Sequence, residues 1–232
     1  MKGLNHFTLF ISFSILCYAS CLSAKVPSWS IQYNGELTEQ DVDYCIFDLF
    51  NYSEKQIRKL KCTAIAYFST QYENFRSDSD QFSPTWNWKK LDDWEGEQIF
   101  HAANLAQVEK IMFHRIDLAV HKGFKGIDMD NVDMYTQGYS QKEQIDYYNH
   151  LWNYAKSKNL LVGLKNAGDI RLKVNAPDFL MLEQCQQYKE CPAGFKNVFD
   201  VEYKKRFCKK HAGIYIILKN KIKMGRERKL CQ

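Results

Sequence analysis

A (β/α)₈ barrel is the fold class this sequence predicts, and three observations predict it. Short runs rich in β-branched and aromatic residues alternate with polar, helix-like stretches, which is the pattern of parallel βαβ units. Eight such runs occur, at 44–49, 63–69, 97–101, 126–131, 161–166, 179–185, 197–203 and 213–220. Most are apolar in their first half and close on polar residues: Asp48, Ser69, Asp128 with Asp130, Lys165 with Asn166, Glu183, Glu202 and Lys219. In a closed parallel barrel those ends meet on one rim, where the active sites of this fold are built. Strands that merely run out into solvent explain one or two such residues, not a polar group on nearly every strand.

The chain opens with Met1-Lys2, an apolar run at 7–22, and the small residues Ser23 and Ala24. That pattern reads as a signal peptide over residues 1–24, and no later run of roughly eighteen apolar residues exists to hold the protein in a bilayer. The expectation is an exported, extracellular protein with no stable membrane insertion, monomeric, with residues 25–232 as one domain. Its length sits near the lower end for the fold, so a compact barrel is expected, with short or missing helices in the C-terminal half. Removing the leader takes Cys17 and Cys21 and leaves six cysteines, an even number that fits disulfides in an oxidising compartment. There is no Cys-x-x-Cys pair, so no metal is expected. The net charge becomes +4 once Lys2 is lost from a chain of formal charge +5. The basic run at 219–229 reads as a solvated terminus, and no basic helix with interleaved aromatics points to nucleic acid.

Between the strand candidates, Ser53-Glu-Lys-Gln56 is a capping box opening a helix at 53–60. Residues 105–121 place Leu105, Val108, Ile111, Ile116 and Ala119 on one face, and Gly123 ends that helix. A second helix at 141–158 repeats the pattern with Ile145, Tyr148, Leu151 and Ala155. The longest irregular piece is 71–95 and contains Trp86, Trp88 and Trp94. Asn51-Tyr-Ser53 is a glycosylation sequon in the first strand-to-helix loop.

The chemistry concentrates in Gly126-Ile-Asp-Met-Asp-Asn-Val-Asp133. Side chains alternate across a strand, so Asp128 and Asp130 share a face. Two like charges that close raise one pKa unless a cation such as Lys165 intervenes, an arrangement suited to acid/base or nucleophilic work. An EF-hand reading fails for want of the loop Gly and the distal Glu. The string also resembles the acidic box of family 18 chitinases, but Val132 occupies the place of their proton donor.

A closer match runs through the segments Tyr44-Cys-Ile-Phe-Asp-Leu-Phe50, Ala66-Tyr-Phe-Ser69, Trp94-Glu-Gly-Glu97, Gly126 to Asp133, Val162-Gly-Leu-Lys-Asn166, Glu183-Gln-Cys185 with Tyr188 and Cys191, and Val201-Glu-Tyr203, in that order. The chain resembles glycoside hydrolase family 114, the endo-α-1,4-polygalactosaminidase-like barrels. The resemblance implies hydrolysis of an α-1,4-linked galactosamine-containing polysaccharide without metal or organic cofactor. It makes Asp130 and Glu183 the catalytic carboxylates, read as a retaining pair. It implies substrate contacts from Asp48, Tyr67, Asp128, Asn131, Asp133, Lys165, Asn166, Glu202 and Tyr203. The loop it preserves implies a Cys185–Cys191 disulfide, with Cys45–Cys62 and Cys208–Cys231 as the simplest remainder. Trp86, Trp88 and Trp94 of the long loop would then either stack on sugar rings or pack in the core. This chain departs from the family in having Asp128 for Glu, Met129 for Pro, Gln98 for Arg, His101 for Asp and Leu182 for Asn. Those changes leave the two carboxylates and alter the pocket, so the alternative is a carbohydrate-binding barrel without turnover.

Overall fold

The computed structural model describes residues 26–38, 40–91, 94–221 and 224–231, without the side chain of Trp88; the expected leader lies outside them. In chain order the elements are β1 (Trp29–Gln32), β2 (Tyr44–Asp48), α1 (Glu54–Ile57), β3 (Thr63–Ser69) and three short strands, β4 (Tyr72–Glu73), β5 (Asn87–Lys90) and β6 (Glu97–Phe100). There follow α2 (Leu105–Lys122), β7 (Gly126–Asp130), α3 (Gln141–Ser157), β8 (Leu161–Lys165), β9 (Phe179–Glu183), α4 (Cys185–Tyr188), β10 (Val198–Glu202), β11 (Ile214–Leu218) and β12 (Lys229–Leu230). One curled sheet runs β1-β2-β3-β7-β8-β9-β10-β11-β12, with every neighbouring pair parallel except the last. The fold is the predicted barrel.

Two of its members differ from the sequence reading. The first barrel strand is Trp29–Gln32, a four-residue run shorter than any of the predicted strands, in which the polar Ser30 and Gln32 are buried along with Trp29 and Ile31. The predicted strand at 97–101 lies outside the barrel, as the centre of a small antiparallel sheet ordered β4-β6-β5. Residues 91–96 join β5 to β6, room for a hairpin but not for the crossover of a dozen or more residues that a parallel neighbour needs.

Alternation along each strand makes two cores. Ile31, Ile46, Ile65, Phe179, Met181, Phe199, Val201 and Ile217 point into the barrel and are buried together. Phe47, Ala66, Phe68, Ile127, Met129, Val162 and Leu164 point outward, against Val108, Met112 and Ile116 of α2 and Tyr148 and Leu151 of α3. The expected caps form: Ser53 and Gln56 make a capping box at the start of α1, and Gly123 ends α2 in the left-handed conformation at φ 93. A further capping box, of Ser140 and Glu143, opens α3. After β8 and β9 only a 3₁₀ turn and the four-residue α4 remain, the short C-terminal helices anticipated.

The barrel interior is narrow, and glycine makes room in it. A Cβ on Gly163 would stand 2.4 Å from the Phe179 ring. The seam between the first and last barrel strands is held by side chains. Trp29 Nε1 donates to the Tyr215 carbonyl at 2.8 Å, and Arg228 Nη1 donates to the Trp29 carbonyl at 2.8 Å. Lys219 donates to the Ile31 carbonyl at 2.8 Å and is 4% exposed. The start of the basic run is therefore buried in the seam, where its ammonium satisfies backbone carbonyls. Disulfides Cys45–Cys62, Cys185–Cys191 and Cys208–Cys231 all form, the last tying the C-terminal segment to the loop after β10.

Gly163→Ala should lower stability by about 1–3 kcal/mol, the usual cost of forcing volume into a packed interior. Urea unfolding reads it as a lower midpoint at unchanged slope; an unaltered midpoint would show that the interior has slack.

Candidate active site

Three successive barrel strands end the same way. Each presents a charged residue and then turns through the left-handed region, at Asn131 (φ 60) after Asp130, Asn166 (φ 51) after Lys165, and Gln184 (φ 61) after Glu183. Asn tolerates that conformation; Gln and the following Ala167 (φ 45) do so at a cost of order 1–3 kcal/mol, a kind of strain that clusters at functional sites. The turns aim Asp130, Lys165 and Glu183 at one point on the rim. Asn166 fixes the third of them by accepting the Glu183 backbone N–H at 3.0 Å.

Lys165 lies between the two carboxylates. Its Nζ is 2.8 Å from Asp130 Oδ2 and 3.7 Å from Glu183 Oε1. The lysine side chain is 2% exposed, whereas the Asp and Glu side chains keep 21% and 29% of their surface open. Tyr67 donates its hydroxyl to the same Asp130 oxygen at 2.8 Å, and the Asn131 N–H donates to the other at 2.9 Å. Tyr203 donates to Glu183 Oε1. Tyr33 stacks on Tyr67 with centroids 3.8 Å apart, bracing it from the β1 side.

The charges are mutually dependent. Burial works against the Lys165 ammonium, but Asp130, Glu183 and Asp128 outweigh it and hold the group well above its ordinary range. Burial also works against the Asp130 carboxylate, but the Lys165 charge and the hydrogen bonds from Lys165, Tyr67 and Asn131 hold it below its ordinary range. Asp130 is thus ionised throughout the neutral range. Asp128 is 0% exposed, and neither of its oxygens has a hydrogen-bond partner among the described residues. Burial pushes it up to about 7, with Lys165 opposing and Asp130 and Glu183 adding to the rise.

A cavity of about 630 Å³ opens over the pair. Of the residues expected to hold substrate, Asp48, Tyr67, Asn131, Asp133, Lys165, Asn166 and Tyr203 line it together with Asp130 and Glu183. Asp128 and Glu202 do not. Asp128 lies one inward position deeper than Asp130, beneath the cavity floor. Glu202, also 0% exposed, accepts the backbone N–H groups of Gln186 and Gln187 at 2.8 and 3.2 Å and so holds α4 in place. Asp48 is on the wall but fully engaged, accepting the Phe50 and Asn51 N–H groups and the Arg76 guanidinium at 2.7 Å. Other wall residues carried no sequence-derived role: Tyr33, Glu73, Phe75, Arg76, Glu97 and Lys221. For Glu97 a signal existed in the Trp94-Glu-Gly-Glu97 string; for Glu73 and Arg76, inside the long irregular segment, there was none. Of the loop tryptophans, Trp94 lines the cavity and Trp86 packs against the outer core.

A parallel barrel that brings an Asp and a Glu together at its C-terminal rim, joined by a buried lysine under an open cavity, has the architecture of a two-carboxylate glycoside hydrolase. The chain belongs to glycoside-hydrolase family GH114, whose model matches residues 18–230. It is similar to Aspergillus fumigatus Ega3, solved in complex with galactosamine, at 32% identity and TM-score 0.81, over 88% of this chain and 95% of that one. It shares its fold with the glycoside hydrolase domain of PelA from Pseudomonas aeruginosa, at 10% identity and TM-score 0.64, over 88% of this chain and 98% of that one. No curated protein matches significantly.

The buried Asp128 makes a pH-dependent contribution to stability. Its folded pKa of about 7 lies above the ordinary 3.8, so the stabilising, protonated state is complete below the ordinary value and is lost as pH rises through about 7. Asp128→Asn should therefore raise the melting temperature more at pH 7.5 than at pH 5. Equal shifts at both pH values would mean that Asp128 does not titrate in the fold.

Proposed function

We infer that this protein is a secreted glycosidase that cleaves α-1,4-linked galactosamine polymers at internal linkages with retention of configuration. The observation that carries the reading is the shared lysine. Its two contacts laid end to end put Asp130 Oδ2 and Glu183 Oε1 at most 6.5 Å apart. That bound favours the separation of about 5–5.5 Å typical of retaining pairs over the roughly 6.5–9.5 Å of inverting ones. Asp130, kept ionised, attacks the anomeric carbon while Glu183 gives its proton to the leaving oxygen. Glu183 then takes a proton from the water that releases the sugar from Asp130. The negative charge moves from Asp130 to Glu183 as the glycosyl ester forms, and Lys165 is placed to balance it at either end.

The substrate class is supported by family membership, by the galactosamine in the Ega3 complex, and by the cavity's own charge. Besides Glu183, which carries the proton, six acidic side chains line the cavity against three cations, Arg76, Lys165 and Lys221. A polymer bearing ammonium groups is attracted there despite the protein's net positive charge. Attack at internal linkages is supported by a second cavity of about 500 Å³, which shares Asp133, Asn166 and Glu183 with the first and gives the polymer room on both sides of the pair. Export is supported by the leader pattern and by the three disulfides.

Asp130→Asn and Glu183→Gln should each cut release of reducing ends from a galactosamine polymer by a factor on the order of 10² to 10⁴; Glu183→Gln should leave the melting temperature little changed, whereas Asp130→Asn, which takes the nearest partner from the buried Lys165 ammonium, should lower it. A folded Glu183→Gln variant that cleaves unactivated polymer at the parental rate would overturn the assignment.

A further inference from the structure

The small antiparallel sheet is an addition to the barrel, and it supplies a cavity wall that the catalytic pair does not use. Glu73 on β4 and Glu97 on β6 are direct register partners, so they emerge on the same face, and both line the cavity. Glu73 is 2% exposed; its Oε1 accepts from Arg76 at 2.8 Å, while Oε2 has no hydrogen-bond partner among the described residues and stands 3.7 Å from Arg115. Arg76 is held on its other side by Asp48 at 2.7 Å. The Asp130 charge and the Asn131 side chain both act on the Glu97 carboxyl, and Asn131 directly follows Asp130. The wall therefore adjoins the Asp130 end of the cavity.

A second feature of the wall is independent of its charge. Phe75 and Trp94 both line it and keep 58% and 48% of their surface exposed. Large exposed rings beside polar groups mark surfaces that a ligand covers, and aromatic faces suit both the C–H face of a sugar and a cation. Lys221 stands over the Trp94 ring, 5.5 Å from its centroid, so the outer edge is positive and the inner wall negative. An amino sugar entering here is turned with its ammonium inward, toward the carboxylates.

Resting on the galactosaminidase reading above, we propose that Glu97, backed by Glu73, binds the ammonium group of the galactosamine next to the residue being cleaved. Phe75 and Trp94 lie against its ring, so this subsite selects a free amine over an N-acetyl group. Binding has a proton signature. Burial, with Glu73 and Asp130 adding and Arg76 and Asn131 opposing, holds the empty-site Glu97 up at about 7. An ammonium bound there favours the carboxylate and expels its proton.

The test compares the wild-type protein with Glu97→Gln and Glu97→Asp. Hydrolysis is followed on galactosamine oligomers and on fully N-acetylated oligomers, and calorimetric binding is run near pH 7 in buffers of different ionisation heat. Glu97→Gln should raise KM for the free-amine oligomers about tenfold or more, keep kcat within about threefold, and leave the N-acetylated oligomers unaffected. Proton release on binding should disappear in Glu97→Gln and persist in Glu97→Asp. If the wild type cleaves the polymer while Glu97→Gln keeps the parental KM and proton release, the subsite is wrong and the glycosidase reading stands. If the wild type neither binds nor cleaves galactosamine oligomers, both are wrong.

Discussion

The ammonium of Lys165, removed from solvent between Asp130 and Glu183 with Asp128 close enough to raise its pKa, is the interaction on which the rest of the site depends. A buried charge is costly unless it is paired, and breaking such a pair leaves an uncompensated charge worth about 3–5 kcal/mol. Here one cation serves several carboxylates that would otherwise repel one another at the end of three adjacent strands. It keeps Asp130 ionised, keeps Glu183 near it, and leaves Asp128 as the carboxyl that yields by taking up a proton. Removing the lysine would cost more than a hydrogen bond, since Asp128 and Asp130 both titrate against its charge.

Holding that cluster at the rim requires support from other parts of the fold. Tyr67 reaches Asp130 from β3 and is itself stacked by Tyr33, so the residue that follows β1, a strand absent from the predicted eight, braces that carboxylate. On the other side, Asp200 accepts the Cys185 N–H at 3.0 Å while Glu202 accepts the next two, and the Cys185–Cys191 disulfide closes the same loop. That loop leaves Glu183 through a left-handed Gln184, a conformation the surrounding bonds must maintain. The acidic residues at the end of β10 thus serve to position the segment that follows Glu183.

Much of this was legible in the sequence, because side-chain alternation and helix caps are local. The strand ends at Asp130, Lys165 and Glu183, the Gly123 cap and the Ser53 capping box depend on short-range periodicity and turn chemistry. What escaped was depth and partner. Asp128 and Asp130 share a face, but nothing in their spacing says that one residue pair lower means below the cavity floor. Glu97–Phe100 has the composition of a barrel strand, and only the short link to its neighbour shows that it belongs to a hairpin. Glu73 and Arg76 sit in a segment without periodicity, so their place beside Asp48 is fixed entirely by tertiary contacts.

The most direct measurement is a crystal structure of the Glu183→Gln variant with a galactosamine oligomer long enough to fill both cavities. The account predicts one glycosidic oxygen within hydrogen-bond reach of residue 183 and the adjoining anomeric carbon about 3–3.5 Å from an Asp130 oxygen, with Lys165 still between the two side chains. An oligomer bound in the cleft with no anomeric carbon near Asp130, or with Lys165 displaced from it, would contradict the assignment of this pair as the reacting groups.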